Sequence, residues 1–144
     1  MPKIERSITI NAPVEKVFAY VNDPNNLPEI WPSMVKVKEV NQLPEGVGSS
    51  YQWAYKMAGM RFKGSCEVTE YVENQRIVAK DKGGIEATRT TTLQPEAGGT
   101  KYRSVVEYSV PIPLLGKLAE AFIRRQNENE ADVFMSNLKA RMES

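Results

Sequence analysis

The chain has 144 residues, 19 Lys and Arg against 18 Asp and Glu, and no histidine. A formal net charge of +1 gives no long-range field for nucleic acid or an anionic membrane, and the lack of histidine excludes a Ser-His-Asp arrangement, a His metal site and an imidazole switch. The lone Cys66 excludes an intrachain disulfide and a thiolate cluster and is expected to be a small core hydrophobe.

At this length a compact fold buries roughly 68–70% of the surface its unfolded chain exposes. One domain over residues 1–144 is expected, since no repeat, linker or low-complexity tract interrupts the chain. No stretch approaches the ~18 apolar residues of a membrane span. The alternating N-terminus lacks the apolar core of a signal peptide. A cytoplasmic protein without integral membrane association is therefore expected.

Ile4, Ile8 and Ile10 alternate with Glu5, Ser7 and Thr9, the period of a half-buried strand. Pro13 suits a first helical position, and Val14, Val17, Phe18 and Val21 follow at helical spacing. Asp23-Pro24 ends that helix and caps a second short piece holding Leu27, Ile30 and Trp31, which Pro28 and Pro32 limit to a turn or two. From Met34 the period becomes two: Val35 and Val37 alternate with Lys36 and Lys38, and Tyr51, Trp53, Tyr55 and Met57 share one face. Ala58-Gly59 is a tight-turn candidate, followed by Met60, Phe62, Gly64, Cys66 and Val68 in phase. A short strand is expected from Ile77 to Lys80, a turn at Lys82-Gly83-Gly84, then a strand placing Ile85, Ala87, Arg89, Thr91 and Leu93 on one face. After the Pro95 to Gly99 loop, Tyr102, Ser104, Val106, Tyr108 and Val110 alternate with polar positions. Pro111-Ile112-Pro113 ends the strands. Residues Leu114 to Met142 hold no Pro and, after Gly116, no Gly, and predict one long helix. Antiparallel strands with helices on one face make this α+β.

The run Ser7-Ile8-Thr9-Ile10-Asn11-Ala12-Pro13 into Val17-Phe18, then Asp23-Pro24 before Leu27-Pro28-Glu29-Ile30-Trp31, Leu93 with Gly98-Gly99-Thr100, and the closing Asn137-Leu138-Lys139-Ala140 resemble the helix-grip superfamily. That group holds START-related lipid-transfer domains, polyketide cyclase/dehydrase-like proteins and the plant pollen-allergen fold. The resemblance spans almost the whole chain. It implies a curved antiparallel sheet of about six to seven strands wrapped around the long C-terminal helix, two short helices after the first strand, and an elongated pocket between sheet and helix.

On the long helix, Leu115, Leu118, Ala119, Phe122, Val133 and Asn137 are expected on one face, with Gln126, Asn129 and Glu130 in its middle. Buried polar groups without partners cost about 1–3 kcal/mol each, so a wet or ligand-filled cavity opposite that turn would account for them. A kinked or exposed helix would also account for them. Tyr51, Trp53 and Tyr55 suit a wall that touches an apolar ligand and still hydrogen-bonds, or ordinary core. Arg89, in phase with Thr91 and Leu93, could grip a carboxylate or phosphate or pair with Glu130. A strand of inverted phase would instead turn it outward. Trp31 is placed near the pocket mouth.

The candidate ligand-binding set is Trp31, Tyr51, Trp53, Tyr55, Phe62, Arg89, Tyr108, Phe122, Gln126 and Glu130. The expected function is binding or transport of a small hydrophobic molecule, such as a lipid, isoprenoid, quinone or polyketide-like aromatic. The alternatives are a cyclase/aromatase- or dehydratase-like enzyme using Glu130 with Tyr51, Tyr55 or Tyr108, and an interaction domain without a cavity. No metal, cofactor or nucleic-acid partner is expected, and the protein is read as a monomer or homodimer.

Overall fold

The computed structural model describes residues 2–109 and 116–144. The chain runs β1 (Lys3–Ile10), α1 (Val14–Val21), a 3-10 turn (Pro24–Asn26), α2 (Leu27–Ile30), β2 (Met34–Asn41), β3 (Ser50–Met57), β4 (Met60–Val72), β5 (Arg76–Gly83), β6 (Glu86–Glu96), β7 (Gly99–Ser109) and α3 (Lys117–Glu143). The strands form one antiparallel sheet in the order β1-β7-β6-β5-β4-β3-β2. Strands β2 to β7 meander, and β1 closes the far side against β7. This is the α+β helix-grip architecture that the resemblance implied.

Local chemistry explains the turns. Ala58 and Gly59 take φ of 52° and 77°, and Ala97 and Gly98 take 48° and 84°. Paired positive φ values match the two-residue hairpin geometry that follows strand twist. Pro13 caps α1, whose buried face is Val14, Val17 and Phe18. The Asp23 carboxylate accepts from the Asn25 amide at 3.0 Å and starts the 3-10 turn.

Strand details differ from the periodic expectation: the loop expected from Pro95 to Gly99 narrows to Ala97-Gly98, because β6 runs on to Glu96 and β7 starts at Gly99. A register shift between Met34 and Lys36 leaves Met34 buried and Val35 42% exposed. Such a bulge re-aims side chains without any mark in the alternation. Strand β5 also extends beyond Lys80 to Gly83, which keeps Asp81 in phase with Ile77 and Ala79.

Helix α3 begins at Lys117. The expected start at Leu114, the Pro111-Ile112-Pro113 segment, Val110 and Leu115 lie outside the described residues. Its buried positions are Ile123, Met135, Leu138 and Met142, whereas Leu118 is 89%, Phe122 56% and Val133 41% exposed. The helix is thus rotated by about one residue, ~100°, from the expected face. Two apolar stripes fit the helical period, one through Leu118, Phe122 and Val133 and one through Ile123, Phe134 and Leu138. Docking chooses between them. Asp132 pairs with Arg6 at 2.7 Å, Lys139 donates to the Thr9 carbonyl at 2.9 Å, and Glu143 accepts from the Asn11 amide at 2.7 Å. Asn137 donates to the Ile30 carbonyl at 3.2 Å. These ties hold the C-terminal half of α3 against β1 and α2.

Two apolar clusters flank the interior. One joins Ile10, Val17, Phe18, Leu93, Tyr102 and Leu138; the other joins Tyr51, Trp53, Met57, Cys66, Ala79 and Ile123, and Phe134 packs against both. A Cβ on Gly64 would meet the Lys82 carbonyl oxygen at 2.3 Å and Trp53 Cζ2 at 2.4 Å. Only glycine lets the Trp53 ring lie against β4 there.

Candidate functional site

Between the sheet and α3 lies a cavity of about 410 Å³, within the range of roughly 300–1,000 Å³ usual for small-molecule sites. Strand register builds its wall. Tyr51, Cys66, Asp81, Ala87 and Tyr108 are successive cross-strand partners from β3 to β7. Val68, Ala79, Arg89, Val106 and Ile4 form the next row, and Tyr71, Ile77, Thr91, Ser104 and Arg6 the third. All of these line the cavity, and α3 closes it with Asn127, Glu130, Ala131, Phe134 and Met135. The period of two turns alternate residues of each strand to this one face.

Arg89 points inward. Its Nε donates to Asp81 Oδ2 at 2.8 Å, and its Nη2 reaches Tyr51 Oη at 2.6 Å, Cys66 Sγ at 3.0 Å and Asp81 Oδ1 at 3.2 Å. The side chains of Arg89 and Asp81 are 16% and 9% exposed. Of the alternatives open to Arg89, the ion pair is formed, with Asp81 in place of Glu130. Burial works against the Arg89 charge, but Asp81, Tyr51 and Cys66 more than reverse this and hold the guanidinium protonated well above its ordinary range. Nη1 makes no hydrogen bond among the described residues.

Trp31, the residue that ends α2, covers this cation with its ring centroid 5.5 Å from Arg89 Cζ, a geometry in which the ring quadrupole attracts the charge. Its ring also meets Tyr55 at 5.6 Å and 75° and Phe134 at 5.7 Å and 83°, both edge to face. Trp53 Nε1 is buried with no partner among the described residues.

Burial raises the Tyr51 phenol and the Cys66 thiol above their ordinary values, so both remain neutral donor-acceptor groups at physiological pH. Burial also pushes Tyr55 and Tyr102 up to about 12. Unfolded phenols release their protons near the ordinary value of 10.0, and the folded ones retain theirs to about 12. The native state thus binds more protons in that window, and stability must fall as pH rises through it, by about 1.4 kcal/mol per pH unit for each such tyrosine. A phenolate absorbance titration is expected to show Tyr51, Tyr55 and Tyr102 silent near about pH 11 in the folded protein, and all six tyrosines ionising ordinarily in urea. Six ordinary titrations without urea would contradict this burial.

Of the expected set, Trp31, Tyr51, Trp53, Tyr55, Arg89, Tyr108 and Glu130 line the cavity. Glu130 accepts from the Ser33 amide at 2.5 Å. The remaining three do not line it. Gln126 is exposed and accepts from the Ala58 amide at 3.1 Å, beside a smaller recess of about 230 Å³ that Glu130 shares. Phe62 is half-buried and packs against the Tyr51 and Trp53 cluster. Phe122 stands on the outer side of α3 at 56% exposure, as the rotation of the helix requires.

Sequence reasoning missed Asp81 and Phe134. Extending the Ile77, Ala79 alternation by two residues would have found Asp81. Phe134 is one turn beyond Glu130 and becomes visible once Glu130 is taken as inward.

No curated protein sequence matches the chain. Solved structures share its fold. TTHA0849 from Thermus thermophilus superposes with a TM-score of 0.84 at 21% identity, over 98% of this chain and 97% of that one. The Zhui aromatase/cyclase from Streptomyces sp. R1128 gives 0.83 at 13% identity, over 99% and 93%. A START superfamily protein from Mycobacterium smegmatis gives 0.80 at 14%, over 98% and 97%. The family model described as polyketide cyclase / dehydrase and lipid transport matches residues 1–143. With that match over the chain and a seven-stranded sheet gripping α3, the protein belongs to the polyketide cyclase/dehydrase and lipid transport family.

Proposed function

We propose that this protein binds a small, largely apolar molecule inside the cavity and holds or carries it. The observation that carries the reading is the cavity of about 410 Å³, walled by Val68, Ile77, Val106, Trp31, Trp53 and Phe134 around the Arg89 cluster. Mostly apolar walls with a few convergent polar groups give affinity through desolvation and orientation through hydrogen bonds. The family's span of cyclases, dehydrases and lipid transport proteins supports the same class of guest.

Catalysis by a Glu130–tyrosine pair is the weaker reading. Glu130 engages the Ser33 amide, and the Tyr51 oxygen already accepts from Arg89. Among the described residues no hydrogen bond joins Glu130 to Tyr51, Tyr55 or Tyr108, the coupling through which such a pair would pass a proton.

Native mass spectrometry of freshly purified protein tests the binding reading, together with titration of the uncharged fluorophore N-phenyl-1-naphthylamine. A co-purifying mass or saturable one-to-one probe binding is expected. Absence of both would overturn the proposal.

A further inference from the structure

We infer that the guest is uncharged and presents a carbonyl-type oxygen, as in a ketone, quinone or ester, to the free edge of Arg89, and that Asp81 sets this preference by excluding carboxylates. The inference rests on the binding reading above and narrows its ligand class.

The charge arrangement in the cavity carries the argument. Apart from its tyrosines and Cys66, the ionisable side chains lining it are Arg6, Asp81, Arg89 and Glu130. Arg6 is committed to Asp132 through Nε and to the Glu5 carbonyl through Nη1. Arg89 spends its Nε and Nη2 on both oxygens of Asp81. Each guanidinium thus already has a carboxylate partner, and Glu130 adds a further negative charge. A carboxylate entering this space would give up its hydration for a cation whose charge is already compensated, with two carboxylates on the same walls. Burying a charge without a free counter-charge is the costly case.

A carbonyl oxygen avoids that cost and needs only a donor. Arg89 Nη1 carries two N–H groups that no described residue accepts. They belong to a guanidinium that Asp81, Tyr51 and Cys66 hold from one edge and the Trp31 ring covers. Fixed donors of this kind orient an acceptor at small entropic cost. An uncompensated cavity arginine would select acids; Asp81 reverses that choice.

Displacement of N-phenyl-1-naphthylamine by three matched probes tests this: 2-acetylnaphthalene, the 2-naphthoate anion and 2-methylnaphthalene. The ketone is expected to bind about tenfold or more tighter than the carboxylate, and tighter than the hydrocarbon. Asp81→Asn keeps an acceptor for Arg89 but removes its charge, and should raise carboxylate affinity about tenfold or more relative to the hydrocarbon. An Arg89→Met/Asp81→Leu double variant, apolar throughout, should lose the preference for ketone over hydrocarbon even if Asp81→Asn fails to fold. Carboxylate binding as tight as ketone in the unaltered protein would overturn the inference while leaving the binding reading intact. A ketone preference that survives in the double variant would overturn docking on Arg89. Failure of all three probes to displace a bound fluorophore would overturn the inference and leave the binding reading intact, whereas failure of the fluorophore itself to bind, with no co-purifying mass, would remove both.

Discussion

Arg89→Met alone is expected to destabilise the fold by about 3–5 kcal/mol, because it strands Asp81 as a buried charge without its counter-ion. Asp81 sits on the central strand β5 with its side chain 9% exposed, and its oxygens receive Arg89 Nε and Nη2 at 2.8 and 3.2 Å. Removing the guanidinium takes away both donors and the compensating charge. Total stability of about 5–15 kcal/mol is usual for such a domain, so a large part of it rides on one side chain. The companion Arg89→Met/Asp81→Leu variant is expected to regain most of the loss, returning to within about 1 kcal/mol of the unaltered protein, since a packed apolar pair replaces a buried ion pair with little penalty. Urea unfolding followed by far-UV circular dichroism measures both. A single-variant loss under about 1 kcal/mol would mean that water screens the pair. Such a result would also remove the basis for assigning ligand charge from it.

Ala131→Phe is expected to abolish probe binding, with an affinity loss of about a hundredfold or more, at little cost to the fold. Ala131 lines the cavity from α3, between Asn127 and Met135, and faces open space. A phenyl ring there fills volume that a guest would occupy and buries its own apolar surface at roughly 25 cal/mol per Å². Overpacking penalties apply to filled cores, and this interior is not filled. Thermal unfolding is therefore expected at or above the original midpoint. Ala140→Phe, on the exposed side of the same helix, serves as the control and should bind the probe normally. Full binding by the Ala131 variant would place the guest outside the cavity.

The two variants depend on features of different legibility. That Arg89 faces inward follows from its phase with Thr91 and Leu93 along one strand, which period-two alternation can state as one of two options. That Asp81 neutralises it needs the antiparallel register of β5 and β6, where Asp81 stands opposite Ala87 and diagonal to Arg89. Glu130 was an equally reasonable partner on paper, because sequence spacing is blind to which wall of a cavity a helix residue reaches. Phe122 shows the same blindness on α3. Its stripe and the Ile123 stripe are both periodic, and only the ties from Arg6, Thr9, Asn11 and Ile30 decide which one turns to the sheet.

The sequence by itself determined the order of elements, the tight turn at Ala58-Gly59, the shared face of Tyr51, Trp53 and Tyr55, and the exclusion of histidine chemistry. These depend on local φ preferences, side-chain alternation and composition, all written within a few neighbouring residues. Tertiary structure alone decided the rotation of α3, the outward turn of Val35 at its bulge, and the pairing that leaves no free positive charge among the described residues lining the cavity. Each of those is settled by contacts between residues tens of positions apart, where small energies from many packing and hydrogen-bonding choices compete and no local pattern records the winner.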